Sequence, residues 1–401
     1  MKNFGGIVMK KSITPYKIVM CCLVILLSMT IVISLIIARN ANSTMYSINL
    51  TTEKTDGWVA LNSPTTEDLR DIVFVDNKTG WIVGTSGTIL HTTDGFNWSI
   101  QASGTSNDLE TVDFINSTFG WAMGSDYIKT TDGGNTWIVK STLNAPYPNE
   151  IDLYNETLGF GGGIGAIFQM KDGKNWVMTP YTGSIFESVQ AYNDKVCWIG
   201  GYNASESANT IYGVILKTID GGLNWQKIVL PVPYIIDFDF IDLNNGWLVA
   251  ADSTPGYAWG LWKTTDGGLT WTLVNRFSTT EPVLIDFVNL NVGWIAFSTY
   301  FIHTTDGGNT WIDQEPKDSI SGISSMYFLD ELHGYAVGYS GKILYTNNGG
   351  YLNSTSSENP TPPSNLTIGG FQVGITAFTI FIAIFITTLK SKKLRRNKII
   401  N

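Results

Sequence analysis

KTTDGGLTW (263–271) is one of six stretches built to the same plan; the others are HTTDGFNW (91–98), KTTDGGNTW (129–137), QMKDGKNW (169–176), KTIDGGLNW (217–225) and HTTDGGNTW (303–311). Each passes through Asp-Gly to a terminal Trp, which is the composition of a tight hairpin end. The carboxylates of Asp94, Asp132, Asp172, Asp220, Asp266 and Asp306 can accept hydrogen bonds from turn N–H groups and close an Asx-type turn. The following Gly supplies positive φ without a Cβ clash. The Trp then carries a large apolar ring into the space between neighbouring layers. Recurrence makes these aspartates turn architecture in this reading, not catalysts or metal ligands.

Outward from the hairpins, the same order of features repeats. An apolar-alternating run comes first, then a Gly-aromatic pair whose ring is Trp81, Trp121, Phe160, Trp198 (after Cys197), Trp247, Trp294 or Tyr335. Successive terminal Trp residues stand 39, 39, 49, 46 and 40 apart. A period near forty residues, with about four short strands per unit, predicts an all-β, seven-bladed β-propeller. The 41 Gly and 14 Trp residues fit many tight turns and large interlayer rings. The last unit ends in Thr346-Asn347-Asn348-Gly349-Gly350 without a Trp, whereas Asp56-Gly57-Trp58 stands alone near the start. Residues 57–62 are therefore expected to supply the outer strand of the seventh blade, closing the ring and removing an open sheet edge. The propeller is expected over 57–350.

The pattern F-x-(D/N)-x3-GW-x-VG followed by (K/H)TTDGGxTW resembles the photosystem II stability and assembly factor family of propellers. Its hairpin is similar to the Asp-box of sialidases and related glycosidases. The resemblance covers residues 58–350. It implies a propeller that acts by binding membrane-protein partners during assembly.

Charge separates the chain into three. Residues 1–39 hold five Lys or Arg and no acid, residues 371–401 hold six and no acid, and residues 40–370 carry a net charge of −20. So acidic a middle repels phosphate backbones, and nucleic acid is excluded as a partner. Ile18–Ile37 and Phe371–Leu389 are uncharged runs, long enough to span ~30 Å of hydrocarbon as helices. The basic clusters at 1–17 and 390–401 flank them on the sides away from the middle. The positive-inside rule then predicts plasma-membrane anchoring by a helix at each end, both termini cytoplasmic and the propeller extracellular. A cleaved signal peptide is the alternative for 18–37, although that run is long for an h-region. A sorting signal is the alternative for the tail. A Ser/Thr/Pro-rich stretch over 351–370 reads as a stalk. Nine Asn-x-Ser/Thr sequons between residues 42 and 367 agree with an extracellular surface.

Catalytic chemistry is thinly represented. A sialidase needs three arginines to grip its substrate carboxylate, and the middle has only Arg70 and Arg276. No phosphate loop, GxSxG or HExxH occurs, and His91, His303, His333 and Cys197 lack metal-ligand spacing. No catalytic residue, metal or cofactor is expected. First strands line a propeller channel, and there Asp113, Asp152, Asp239 and Asp286, with Asp71, Glu150 and Asp237 two residues earlier, could gather for a sugar or cation. The alternative is that they are ordinary polar members of alternating strands. Units four and five are lengthened between their second and third strands, at 201–212 and 251–260. Tyr202, Tyr212, Tyr257 and Trp259 are accordingly expected as loop aromatics on one face, fit to bind a protein at the membrane or cell surface, or a glycan. The leading expectation is a non-enzymatic binding or assembly scaffold; the alternative is a carbohydrate-binding or glycoside-hydrolase-type propeller.

Overall fold

The computed structural model describes residues 57–142, 147–205, 210–253, 259–277, 281–314 and 322–351. Both expected spans, the stalk after Tyr351, the basic tails and Tyr257 lie outside the described residues. Among the described residues no helix is long and apolar enough to cross a membrane.

The fold is an all-β propeller. After β1 (Val59–Leu61) comes a four-stranded sheet of β2 (Leu69–Phe74), β3 (Gly80–Gly84), β4 (Ile89–Thr92) and β5 (Ser99–Ile100). A second comprises β6 (Leu109–Phe114), β7 (Gly120–Gly124), β8 (Asp126–Thr130) and β9 (Ile138–Thr142). A six-stranded sheet follows, of β10 (Pro148–Leu153), β11 (Gly159–Met170), β12 (Trp176–Ala191), β13 (Cys197–Ser205), β14 (Thr210–Thr218) and β15 (Gln226–Leu230). Then come β16 (Ile235–Phe240), β17 (Gly246–Ala251), β18 (Trp259–Thr264) and β19 (Thr272–Phe277), and next β20 (Pro282–Phe287), β21 (Gly293–Phe297), β22 (Phe301–Thr304) and β23 (Ile312–Gln314). The last sheet holds β24 (Ile323–Phe328), β25 (Gly334–Gly338) and β26 (Lys342–Thr346), with β1 paired antiparallel to β26. That pairing is the closure expected from the displaced Trp58.

The expected seven four-stranded sheets are thus six sheets, with the third and fourth units sharing one. The cause is local. β11 and β12 are long strands that bend where Gly165 and Gly183 take positive φ (68° and 80°), and Ile164 pairs with Ile185 across them before the register shifts to Ala166 and Pro180. That one pair stitches the third unit to the fourth.

The core lies between sheets. The Gly-aromatic ring of one unit stacks on the Phe that ends the innermost strand of the next: Trp81 on Phe114, Trp198 on Phe240, Trp247 on Phe287, Trp294 on Phe328 and Tyr335 on Phe74, at 3.5–4.3 Å between centroids. All five of those leading rings are buried. Burying an aromatic removes 150–250 Å² from water, and stacked pairs add to that gain. Cys197, just before Trp198, is buried as well.

Candidate functional site

The hairpin aspartates do what their composition required. Asp220 Oδ1 accepts from the backbone N–H of Leu223 and Asn224 at 3.0 and 2.9 Å and from the Thr218 hydroxyl at 2.8 Å, while Oδ2 takes the Asn224 amide. The Asn224 backbone N–H, then the Asn224 side chain and the Thr218 hydroxyl, hold its carboxyl down at about 2. In the closing unit Asn348 substitutes, accepting from the Thr346 hydroxyl and from Gly350 N. In the third unit Met170 stands where the Thr would be.

The innermost strand of each sheet has a free edge, and its outward N–H groups need acceptors. Acids of the preceding unit provide them. Asp113 accepts from Leu153 N at 2.6 Å, Asp152 from Ala191 N at 2.6 Å, Asp239 from Phe287 N at 2.7 Å and Asp286 from Phe328 N at 2.8 Å. Gln190 takes the same role toward Phe240 N, and the Tyr327 hydroxyl donates to Phe74 O. One step along, Asp71, Glu150 and Asp237 accept from Val112, Val189 and Ile285. The acids proposed for channel chemistry are therefore each engaged with the neighbouring strand. Burial, then the nearby charge of Asp237, pushes the Glu150 carboxyl well above the ordinary range. Among the described residues no group of three or more His, Cys, Asp or Glu is placed to hold a metal.

A second set of side chains comes from a feature that repeats silently. The innermost strand of every unit carries a register shift near its start, at Leu69/Asp71, Leu109/Thr111, Pro148/Glu150, Phe186/Ser188, Ile235/Asp237, Pro282/Leu284 and Ile323/Ser325. Such bulges re-aim one side chain out of the pleat. The residues so placed are Arg70, Glu110, Asn149, Glu187, Ile236, Val283 and Ser324. Neighbours pair up, with Arg70 Nε 3.7 Å from Glu110 and the Asn149 amide 2.9 Å from Glu187. All seven are half-buried.

Beside Glu187 lies an aromatic cluster. Tyr202 packs on Tyr234 (5.6 Å), which meets Trp259 edge-on (5.3 Å). Burial, then the charge of Glu187, raises the Tyr202 phenol above its ordinary value; burial likewise raises Glu187. Tyr212 lies across the hairpin, its hydroxyl 3.2 Å from Lys227 Nζ. The expectation of loop aromatics needs correction at the three that are described, Tyr202, Tyr212 and Trp259. Tyr202 and Tyr212 stand on strands, because the expansion at 201–212 extends β13 and β14 as a paired ladder out to Ser205 and Thr210. Trp259 opens β18 opposite Phe277 and is only 5% exposed. Tyr202, Tyr212 and Tyr234 are part-open to solvent. Arg276 ties the neighbouring turn down through Asp252 at 2.7 Å.

A family profile described as photosynthesis system II assembly factor YCF48 matches residues 50–179 and 218–322, more than half of the chain. The chain belongs to this family. Its fold is similar to YCF48 from Cyanidioschyzon merolae, at 20% identity and a TM-score of 0.58 over 73% of this chain and 99% of that one. It is similar also to YCF48 bound to D1 peptide, at 21% identity and 0.57 over 72% and 96%. An ancestral GH74 enzyme aligns at 14% identity and 0.52, over 71% of this chain and 45% of that one. At such identities the likeness extends to fold alone. A search of curated proteins finds no match. Sequence reasoning passed over the bulge residues, although seven equivalent positions holding Arg70, Glu110, Asn149 and Glu187 in a row were there to be aligned. What hid them is that a bulge breaks the alternation by which strands are read.

Proposed function

We propose that this member of the YCF48 family is a non-enzymatic assembly or binding scaffold, anchored in a membrane by a helix at each end, with a seven-bladed propeller outside. The six-stranded sheet counts as two blades, because seven innermost strands each reach the next through side-chain hydrogen bonds. The partner is a protein segment that docks on the bulge residues and the Tyr202–Tyr234 aromatics. The observation that carries this reading is the row of re-aimed polar side chains, Arg70 to Glu187, next to part-open tyrosines on a rigid ring, the arrangement that binding surfaces favour. The solved relative bound to D1 peptide supports a peptide as the kind of ligand. The glycosidase reading is weakened by the commitment of Asp113, Asp152, Asp239 and Asp286 to neighbouring N–H groups.

The test is a photo-crosslinking residue at position 202 or 212 of the full chain in native membranes. A single membrane protein should be joined in high yield, and the yield should fall about tenfold with Arg70→Ala plus Glu187→Ala, the effect of losing ~1.4 kcal/mol. Equal yields from a residue at Lys174, or no effect of the double change, would sink the assignment of this face.

A further inference from the structure

The chain enters and leaves the propeller at one place. Gly57 and Trp58 lead into β1 and Gly349–Tyr351 follow β26, so both connections replace the tip of the seventh hairpin turn. That tip belongs to a face shared by every unit, since the connection between first and second strands lies against the same unit's Asp-box: Gly221 N donates to Lys195 O, Gly267 N to Asn244 O, Gly307 N to Asn291 O and Gly349 N to Leu332 O. This face is divided. In units four to seven its turns expose Ile219, Leu223, Leu243, Leu269, Leu290 and Leu332, at 41–73%. In units one to three the equivalent turns hold the sequons Asn77, Asn97, Asn116 and Asn155, whereas no turn of the apolar half contains one. Phe96, the exposed ring of the sequon half at 38%, has Tyr345 edge-on against it.

We propose that the apolar half of the Asp-box face rests on the outer leaflet of the bilayer that anchors the chain, an inference that rests on the anchor reading above. Nineteen residues (38–56) separate Gly57 from the end of the first apolar run, and nineteen (352–370) separate Tyr351 from the second. Nineteen residues reach at most ~65 Å even fully extended, so links of that length keep the domain near the bilayer at an effective concentration of order millimolar. Six aliphatic side chains at turn tips, too few to capture a free protein on lipid, suffice for one already held there. Glycans attached at those sequons would lift that side into water and make the ring lean. The carboxylates among the aliphatic side chains, Asp220, Asp266 and Asp306, are wrapped by their own turns but stay ionised, which favours a zwitterionic surface over an anionic one. The opposite face, with Tyr202 and the bulge residues, is then presented away from the membrane.

The test uses the full chain in phosphatidylcholine nanodiscs, carrying Cys21→Ser and Cys22→Ser, with one environment-sensitive label at Leu223→Cys, Leu269→Cys or Leu332→Cys. Cys197 is buried and stays unlabelled. Nitroxide-bearing lipid should quench these labels several-fold more than labels at Asn77→Cys or Ser253→Cys. Equal quenching at Leu269→Cys and Ser253→Cys, in chains that resist alkaline extraction, overturns the orientation alone. Release of the chain by alkaline extraction overturns the anchor and the orientation together.

Discussion

The junctions from the fourth unit round to the second, through the closing sheet, and the two on either side of the third are built differently. The first group relies on rings: Trp198 on Phe240, Trp247 on Phe287, Trp294 on Phe328, Tyr335 on Phe74 and Trp81 on Phe114. Around the third unit the partner positions are Leu153 and Ala191, which offer nothing to stack on. Those junctions carry instead the shortest carboxylate bonds of the series, Asp113 to Leu153 N, Asp152 to Ala191 N and Glu150 to Val189 N, each 2.6 Å. Trp121 Nε1 is buried there without a hydrogen-bond partner, whereas Trp198, Trp247 and Trp294 each donate to an Asp-box Gly carbonyl of the next unit. Where stacking is weak, charge-assisted hydrogen bonds and the Ile164–Ile185 stitch hold adjacent units together. One ring can therefore be closed by two chemistries.

The largest effect should come from the stacked side. Trp247→Ala removes a fully buried ring and strands Phe287, and is expected to cost about 3–5 kcal/mol, read from urea unfolding of the full chain in detergent. A loss below about 1 kcal/mol would mean that the stacks are not what holds that junction. On the other side, Asp152→Ala leaves Ala191 N without its acceptor and should cost about 1–3 kcal/mol, with Asp152→Asn recovering much of it. If Asp152→Ala proves neutral, the contrast between the two chemistries collapses.

The smallest effect is a gain. Burial and the charge of Asp237 raise Glu150 in the folded state above its ordinary value of 4.5. The folded chain therefore binds that proton more tightly than the unfolded chain. Stability on this account is fully present below the ordinary glutamate value and is lost as pH rises through the folded one. Asp220 works in the opposite sense: held at about 2 against an ordinary 3.8, it gives up its contribution as pH falls across that window. Stability should thus peak in mild acid. Glu150→Gln, which keeps an acceptor for Val189 N, should raise the melting temperature at pH 8 and flatten the alkaline limb. An unchanged limb would show that Glu150 is solvated rather than crowded.

The propeller was legible in the sequence because its repeat is written in residues with few alternatives. An Asx turn needs Asp94 or Asp306, a reversed hairpin needs Gly, and the orphaned Trp58 pointed straight at β26. The merging of the third and fourth units was not legible, since it depends on one backbone pair, Ile164 with Ile185, that no side chain announces. The site was read less well than the fold. Alternation put Asp113 and Asp239 on innermost strands, yet could not say that each would bond to the next strand's N–H, because that partner is some forty residues away in the chain. Trp259 is no loop residue, although the added length of its unit suggests one, because Ala251 pairs with it and carries the strands one step further.

Closure by β1 also sets a timetable. Val59 pairs with Tyr345, so the first strand to leave the ribosome waits for the last. At ~5–20 residues per second that interval is roughly 15–60 s; β26 is incomplete throughout it, and for most of it Trp58 has neither Phe301 nor Phe328 to lie against. The ring's final act of folding is to recover its own beginning, and a chain cut short before residue 342 loses not one strand but the means of becoming a circle.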